Sequence, residues 1–187
     1  MSNIIRPRRI LLDLAVSLDG FIEGENGEID WCIMEPEMGF HHFLNQIDTI
    51  FYGRKSYELW GQITPEENDP DKELREKINS KAKYVFSRQK YIDHHNVIYI
   101  NDHILDEVMK IKNTPGKDIW LYGGASLITD FVKLGLVDEF RLSVHPVILG
   151  KGKPLFTDLD DRLNLNLVET KKYSSGVVQL IYHVKGD

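Results

Sequence analysis

The run Ile119-Trp120-Leu121-Tyr122-Gly123-Gly124-Ala125-Ser126-Leu127-Ile128-Thr129-Asp130-Phe131-Val132-Lys133-Leu134-Gly135 decides how the chain is read. Ile119 to Tyr122 reads as a short buried strand. Gly123-Gly124 interrupts it, and Ala125 to Leu134 follows as an apolar helix. Gly135 stands where a helix C-terminus favours glycine. Strand, glycine turn and helix make the repeating unit of an α/β sheet.

The same alternation extends toward the N-terminus. Strands are expected at Ile10–Val16, Thr49–Tyr52, Tyr84–Phe86 and Val97–Ile100. Helices are expected at Phe40–Ile47 and Ser56–Trp60. A charged helix should run through Asn79, capped by Asp71 or a neighbour, and another from Asn101 or Asp102 to Ile111. Beyond Gly135 the pattern changes. Phe140–Leu149 is a long strand, Gly150-Lys151-Gly152-Lys153-Pro154 is turn-rich, and Leu163–Tyr173 with Val177–Val184 forms a hairpin about Ser174-Ser175-Gly176. The expected fold is three-layer α/β/α: a mostly parallel sheet covered by helices on both faces, with antiparallel C-terminal strands, in one domain over residues 1–187.

Composition narrows the function. The 187 residues are 42% hydrophobic, too apolar for disorder. Against 29 acidic residues stand 23 basic ones, a net charge of −6 that disfavours nucleic acid or an anionic membrane as partner. No run approaches the roughly 20 apolar residues of a membrane helix. Cys32 is the single cysteine, so no internal disulfide is possible and no oxidising compartment is implied. A soluble cytoplasmic protein is expected.

Three strand ends share one chemistry. They are Gly53-Arg54-Lys55-Ser56, Ser87-Arg88 and Gly123-Gly124-Ala125-Ser126. Ligands of open α/β sheets bind outside the carboxyl ends of parallel strands. Helix N-termini there suit phosphate, glycines admit close approach of the backbone, and arginine offers a planar fork to phosphate oxygens. A polyphosphorylated ligand is expected. The glycines do not match G-x-G-x-x-G, so a standard dinucleotide fold is not indicated. Arg54, Lys55 and Arg88 favour NADPH over NADH, because an added 2′-phosphate calls for cations.

Other clusters read as ordinary surface. His41-His42 and His94-His95 are adjacent pairs whose members diverge on a helix. Asp158, Asp160 and Asp161 lack the glycine and closing glutamate of a calcium loop. Cys32 has no evident base, and no metal is expected. On the substrate side the candidates are Asp19, Asp30, Trp31 and Glu37; Trp31 suits stacking on a planar heterocycle.

The order Ala15…Ser17-Leu18-Asp19-Gly20-Phe21-Ile22, Gly53-Arg54-Lys55-Ser56-Tyr57-Glu58, Val85-Phe86-Ser87-Arg88 and Trp120-Leu121-Tyr122-Gly123-Gly124-Ala125-Ser126-Leu127 resembles the dihydrofolate reductase superfamily. The run His145-Pro146-Val147-Ile148-Leu149-Gly150-Lys151-Gly152-Lys153-Pro154-Leu155-Phe156 is similar to its riboflavin-biosynthesis reductase branch. The resemblance spans about residues 8–184. It implies NADPH as cofactor, with Gly53, Arg54, Lys55 and Ser56 in a phosphate-binding turn. It implies Ser87 and Arg88 at the 2′-phosphate, and Gly123, Gly124, Ala125, Ser126 and Leu127 at the pyrophosphate. Ala15 would lie beside the nicotinamide. Asp19 and Glu37 become the candidate catalytic acids; Glu37 falls, by count from Gly53, where folate reductases carry their pterin-binding acid. The surrounding Met34-Glu35-Pro36-Glu37-Met38 departs from the folate pattern.

The implied reaction reduces a pterin- or pyrimidine-like heterocycle, nearest to 5-amino-6-(5-phosphoribosylamino)uracil. The chain lacks H-x-E and P-C-x-x-C, and one cysteine cannot build the zinc deaminase site, so reduction alone is expected of it. A homodimer is expected. The competing reading is a nucleotide-binding regulatory or scaffold protein without turnover.

Overall fold

The computed structural model describes residues 6–89 and 97–186; the pair His94-His95 lies outside them. In chain order the elements are β1 (Ile10–Ser17), β2 (Phe21–Glu23), a 3-10 turn (Pro36–Met38), α1 (Phe40–Gln46), β3 (Ile47–Gly53) and α2 (Arg54–Ser56). A wider π turn (Tyr57–Gly61) follows, then α3 (Lys72–Asn79), β4 (Ala82–Phe86), β5 (Val97–Ile100), α4 (Ile104–Lys112) and β6 (Asp118–Gly123). The remainder is α5 (Ala125–Lys133), β7 (Glu139–His145), β8 (Lys153–Pro154), β9 (Leu165–Lys172) and β10 (Val178–Val184). Two compact units result: residues up to Arg9 with Phe40–Gly124, and Ile10–Gly39 with the residues from Ala125 onward.

In the first unit the strands lie in the order β5-β4-β3-β6, and every neighbouring pair is parallel. Central β3 is buried along most of its length, as a strand with a neighbour on either side and a covered surface should be. Ile47, Ile50, Phe51 and Tyr52 are fully buried. Phe51 packs edge-on to Tyr84 and Phe86, and Trp120 of β6 meets Phe40 and Phe43 of α1. Each such side chain contributes about 1.5–3 kcal/mol by leaving water. The start of this sheet is pinned by Arg8, only 6% exposed. Its guanidinium donates to the Lys117 carbonyl at 2.6 Å, the Thr49 hydroxyl and the Asp48 carboxylate, so the buried cation is paired.

In the second unit β1 is parallel to β7, while β10 runs antiparallel to both β7 and β9. Helix α5 buries Ala125, Leu127, Ile128 and Phe131. β9 is the outermost strand and exposed along nearly its whole length. β2 and β8 form a separate small antiparallel pair, closed where Gly152 passes the Glu23 carbonyl. A Cβ on Gly152 would stand 2.3 Å from that oxygen, and its φ of +153° also favours glycine.

The α/β class, the mostly parallel pairing and the antiparallel C-terminal strands are as the sequence predicts. Local departures have local causes. The strand expected to reach Leu149 ends at His145, because Pro146 has no N–H to continue a ladder. The helix expected at Ser56–Trp60 begins at Arg54 and widens into the π turn. Asp71 occupies the cap position of α3 without a side-chain cap bond. At α4 the cap position falls to His103, in left-handed conformation with φ 51°, and neither Asn101 nor Asp102 caps the helix. Among the described residues no helix is long and apolar enough to cross a membrane.

Candidate functional site

Register places the three strand ends side by side in the first unit. Gly53 of β3 is opposite Phe86 of β4, and Tyr52 is opposite Gly123 of β6. The turns Gly53-Arg54-Lys55-Ser56, Ser87-Arg88 and Gly123-Gly124 therefore emerge together at the carboxyl edge of adjacent parallel strands. Gly123 has φ +109°, which a residue with a Cβ rarely adopts.

Within this group, Lys55 and Arg88 are exposed and Ser56 and Ser87 half-buried. Arg54 makes a two-oxygen ion pair with Glu58, 2.8 and 2.9 Å, one helical turn on. The Ser87 turn is braced from β5. Its N–H donates to the Ile100 carbonyl at 3.0 Å, and the Asn101 amide donates to the carbonyls of Ser87 and Gln89 at 3.1 and 2.8 Å. Asn101 is thus a brace of the Ser87 turn rather than the helix cap that its position suggests. Tyr52, fully buried at the end of β3 against Tyr57 and Tyr122, has a hydroxyl with no hydrogen-bond partner among the described residues. An unmet buried hydroxyl costs about 1–3 kcal/mol, so a polar group supplied by a ligand or water at this edge would relieve it.

Ala125, Ser126 and Leu127 open α5 in the second unit. Ala125 and Leu127 turn into the core, and Ser126 is exposed. Ala15 is half-buried in β1, opposite Ser143 of β7.

Asp19 lies just past β1. Its carboxylate accepts the Ser17 hydroxyl at 2.7 Å and the N–H groups of Leu149 and Gly150 at 3.1 and 2.7 Å. The Ser17 bond, foremost, and these backbone bonds hold its carboxyl below the usual carboxylate range. It is a fixed anion that ties the β1–β2 turn to the segment after β7. That segment and the loop after β2 line an open pocket of about 540 Å³, with Asp30, Trp31, Glu28, Leu149, Gly150 and Lys151 in its wall. Asp30 and Trp31 thus line one space. The Trp31 indole N–H donates to the Glu28 carbonyl at 3.2 Å, and its ring stands edge-on to His145, centroids 5.3 Å apart. His145 is buried, with ring nitrogens 2.9 and 3.3 Å from the carbonyls of Ser143 and Ile33.

Glu37 is exposed on the 3-10 turn and is not in that wall. The engaged acid of its segment is Glu35, which accepts the hydroxyls of Ser174 and Ser175 at 3.1 and 3.0 Å from the β9–β10 turn. A count along the sequence cannot see partners almost 140 residues away.

Parallel strands with glycine, hydroxyl and basic turns at their carboxyl ends define an α/β scaffold of the class that takes ligands at that edge. The chain belongs to the RibD C-terminal domain family, whose model matches residues 8–179. It is 65% identical over its whole length to the uncharacterized protein YyaP of Bacillus subtilis, which it also covers completely. Among solved structures it resembles a Shewanella sp. PV-4 protein assigned to riboflavin biosynthesis, at 22% identity and TM-score 0.79, over 95% of this chain and 99% of that one. It resembles the Thermotoga maritima diaminohydroxyphosphoribosylaminopyrimidine deaminase/5-amino-6-(5-phosphoribosylamino)uracil reductase at 15% identity and TM-score 0.71, over 96% of this chain and 57% of that one. Enterococcus faecalis dihydrofolate reductase, solved with NADP(H), matches at 14% identity and TM-score 0.65, over 95% and 97%. At these identities the structural matches establish the shared fold.

Proposed function

We propose that the protein is an NADPH-dependent reductase of a pterin- or pyrimidine-like heterocycle, with chemistry nearest to 5-amino-6-(5-phosphoribosylamino)uracil reduction. One observation carries this reading: the ends of β4, β3 and β6 set cations, hydroxyls and glycines next to one another at the carboxyl edge of parallel strands. That donor set fits a nucleotide with several phosphates, and the unmet Tyr52 hydroxyl at the same edge is consistent with a polar ligand there.

Arg88, Ser87 and Arg54 would hold the 2′-phosphate, with charge-assisted bonds that NADH cannot offer. Lys55, Ser56 and the backbone at Gly53, Gly123 and Gly124 would serve the other phosphates. The N–H groups of Ala125, Ser126 and Leu127 would do the same from the first turn of α5. Ala15 would lie beside the nicotinamide. When bound, the cofactor supplies hydride, so the chain has to bind, orient and exclude water. Asp30 and Trp31 would take the heterocycle in the cavity, and Asp19 would hold its Leu149–Gly150 wall in place.

The test is binding and turnover. NADPH should bind at least about tenfold tighter than NADH, the worth of one charge-assisted contact. Loss of NADPH absorbance with 5-amino-6-(5-phosphoribosylamino)uracil or a related heterocycle then identifies the reaction. Binding without turnover across a broad panel would favour the regulatory or scaffold reading. Failure to bind either nucleotide overturns both.

The protein is further proposed to act as a cytoplasmic homodimer. Support comes from β9, an outermost strand with Leu167 and Val168 exposed. Sedimentation should give a dimer for the wild-type chain and a monomer for Val168→Lys.

A further inference from the structure

The pocket between the loop after β2 and the segment after β7 has a definite electrical character. The charged side chains in its wall are Glu25, Glu28, Asp30 and Lys151, three acids against one base. Lys153, two residues beyond Lys151, is committed to Glu23 at 2.6 Å. Glu28 is a fixed anion. Its two carboxylate oxygens accept the Asn26 backbone N–H at 2.9 Å and the Asn26 amide at 2.8 Å. The amide bond, foremost, holds the Glu28 carboxyl below the usual carboxylate range. Glu25 and Asp30 are exposed, with carboxylates that a ligand can reach.

The backbone of the wall points the same way. Successive N–H groups at a turn make a cradle for an anion. Leu149 and Gly150 supply such a pair, and its occupant is the chain's own Asp19, at 3.1 and 2.7 Å. The Ser17 hydroxyl holds that carboxylate from a second side at 2.7 Å. The Gly24 N–H and the Trp31 indole N–H both donate to the Glu28 carbonyl, at 2.9 and 3.2 Å. These donors are spent within the chain, while the exposed carboxylates of Glu25 and Asp30 remain as acceptors. A phosphate monoester brought here meets a filled cradle and a wall of net negative charge. An amino-bearing ring meets acceptors beside an indole.

We propose that this pocket selects an unphosphorylated, amino-bearing heterocycle and rejects the phosphorylated form of the same ring, with Asp19 as a resident anion in the Leu149–Gly150 cradle and with Glu25 and Asp30 as acceptors for the ring's amino groups. The inference rests on the reading that puts the heterocycle in this pocket, and it narrows that reading: the aminouracil is taken without its phosphate. Discrimination comes from repulsion of the wrong ligand as much as from attraction of the right one.

Two ligands test this: 5-amino-6-(ribosylamino)uracil and the same compound carrying its 5-phosphate. Their dissociation constants are measured by calorimetry with NADP+ present, at about 0.05 and about 0.5 M salt. In the wild-type chain the unphosphorylated ring should bind about tenfold tighter or more at the lower salt, and the ratio should shrink several-fold at the higher. Glu25→Gln with Asp30→Asn, both at exposed positions, should bring the ratio toward one. Asp19→Ala empties the cradle and should move the ratio in the same direction. A phosphorylated ring that binds the wild-type chain as tightly as its partner, or tighter, overturns the proposal whether or not any variant folds. So does a ratio that neither salt nor the Glu25–Asp30 substitutions move. If neither ring binds, the reading of this pocket as the heterocycle site has itself failed; if both bind, only the order of affinities is in question.

Discussion

The carboxylate of Asp19 holds the backbone N–H of Gly150 at 2.7 Å, across 131 positions of sequence. This bond, with those to Leu149 and Ser17, makes an acidic residue into a clamp on the cavity wall. Asp19→Asn replaces one acceptor oxygen with a donor that meets N–H groups head-on. Substrate KM should rise while NADPH affinity stays constant. The clamp also has a definite pH signature. The folded carboxyl lies below its ordinary 3.8, so its stabilisation is complete above about 3.8 and is lost as pH falls through the lower folded value. The melting-temperature gap between wild type and Asp19→Asn should be steady at neutral pH and close in acid.

Arg54 and Glu58 make opposite predictions. Arg54→Ala should weaken NADPH by about tenfold or more and leave NADH little changed. Glu58→Gln removes the carboxylate that now shares the guanidinium. An exposed pair one turn apart is worth about 0.3–0.5 kcal/mol, so releasing it should tighten NADPH roughly twofold. Isothermal titration of both variants with both nucleotides checks the pair; a Glu58→Gln protein that binds NADPH more weakly would contradict Arg54 as a phosphate ligand.

Asn101→Ala removes two donors from the Ser87 turn without touching a cation. Each bond is worth about 0.5–1.5 kcal/mol. NADPH affinity should fall several-fold, and Arg88→Ala made on top of it should cost less than Arg88→Ala alone, because an unbraced turn already presents Arg88 poorly. A double-mutant cycle reads this coupling directly.

Asp13→Asn should alter stability with a sign opposite to Asp19. Burial, opposed by Arg141 and assisted by Glu139, holds the folded Asp13 carboxyl above the unfolded value of 3.8, at about 7. The folded chain thus binds the extra proton between those values, and stability declines as pH rises through the window. The cost at alkaline pH is bounded by about 4 kcal/mol. Asparagine carries no such cost, so the variant should match the wild type near pH 4 and melt higher at pH about 8, measured by calorimetry.

The clustering of the three strand ends was legible because its signal is local. Gly53-Arg54-Lys55-Ser56 and Gly123-Gly124 follow apolar strand runs directly, and parallel strands put their carboxyl ends on one side without further information. What stayed hidden was non-local or too short to carry a period. Asn101 stands where a helix cap would, yet its amide reaches back to Ser87 and Gln89; nothing in the spacing tells an amide which backbone it will serve. Glu35 and Glu37 are equivalent by composition, and only the hydroxyls of Ser174 and Ser175 distinguish them. The β2–β8 pair rests on three residues and two, below any detectable alternation. Asp13 interrupts an apolar strand as a single letter, and its meaning depends on Arg141 and Glu139 across the ladder.

β9 has a bearing on how the chain behaves in a crowded solution. An open row of strand hydrogen-bonding groups is a template, and a template without a stopping rule grows fibres. Here Glu169 and Lys171 flank Thr170, so a second β9 laid antiparallel about that threonine would set acid against base on both sides. Such an encounter consumes the row in one step and leaves nothing to extend. Lys171 and Lys172 repel most other registers. Under the proposed dimer the strand that looks most hazardous for solubility would carry its own terminator, and Lys171→Thr with Lys172→Thr would be expected to trade a clear solution for a turbid one.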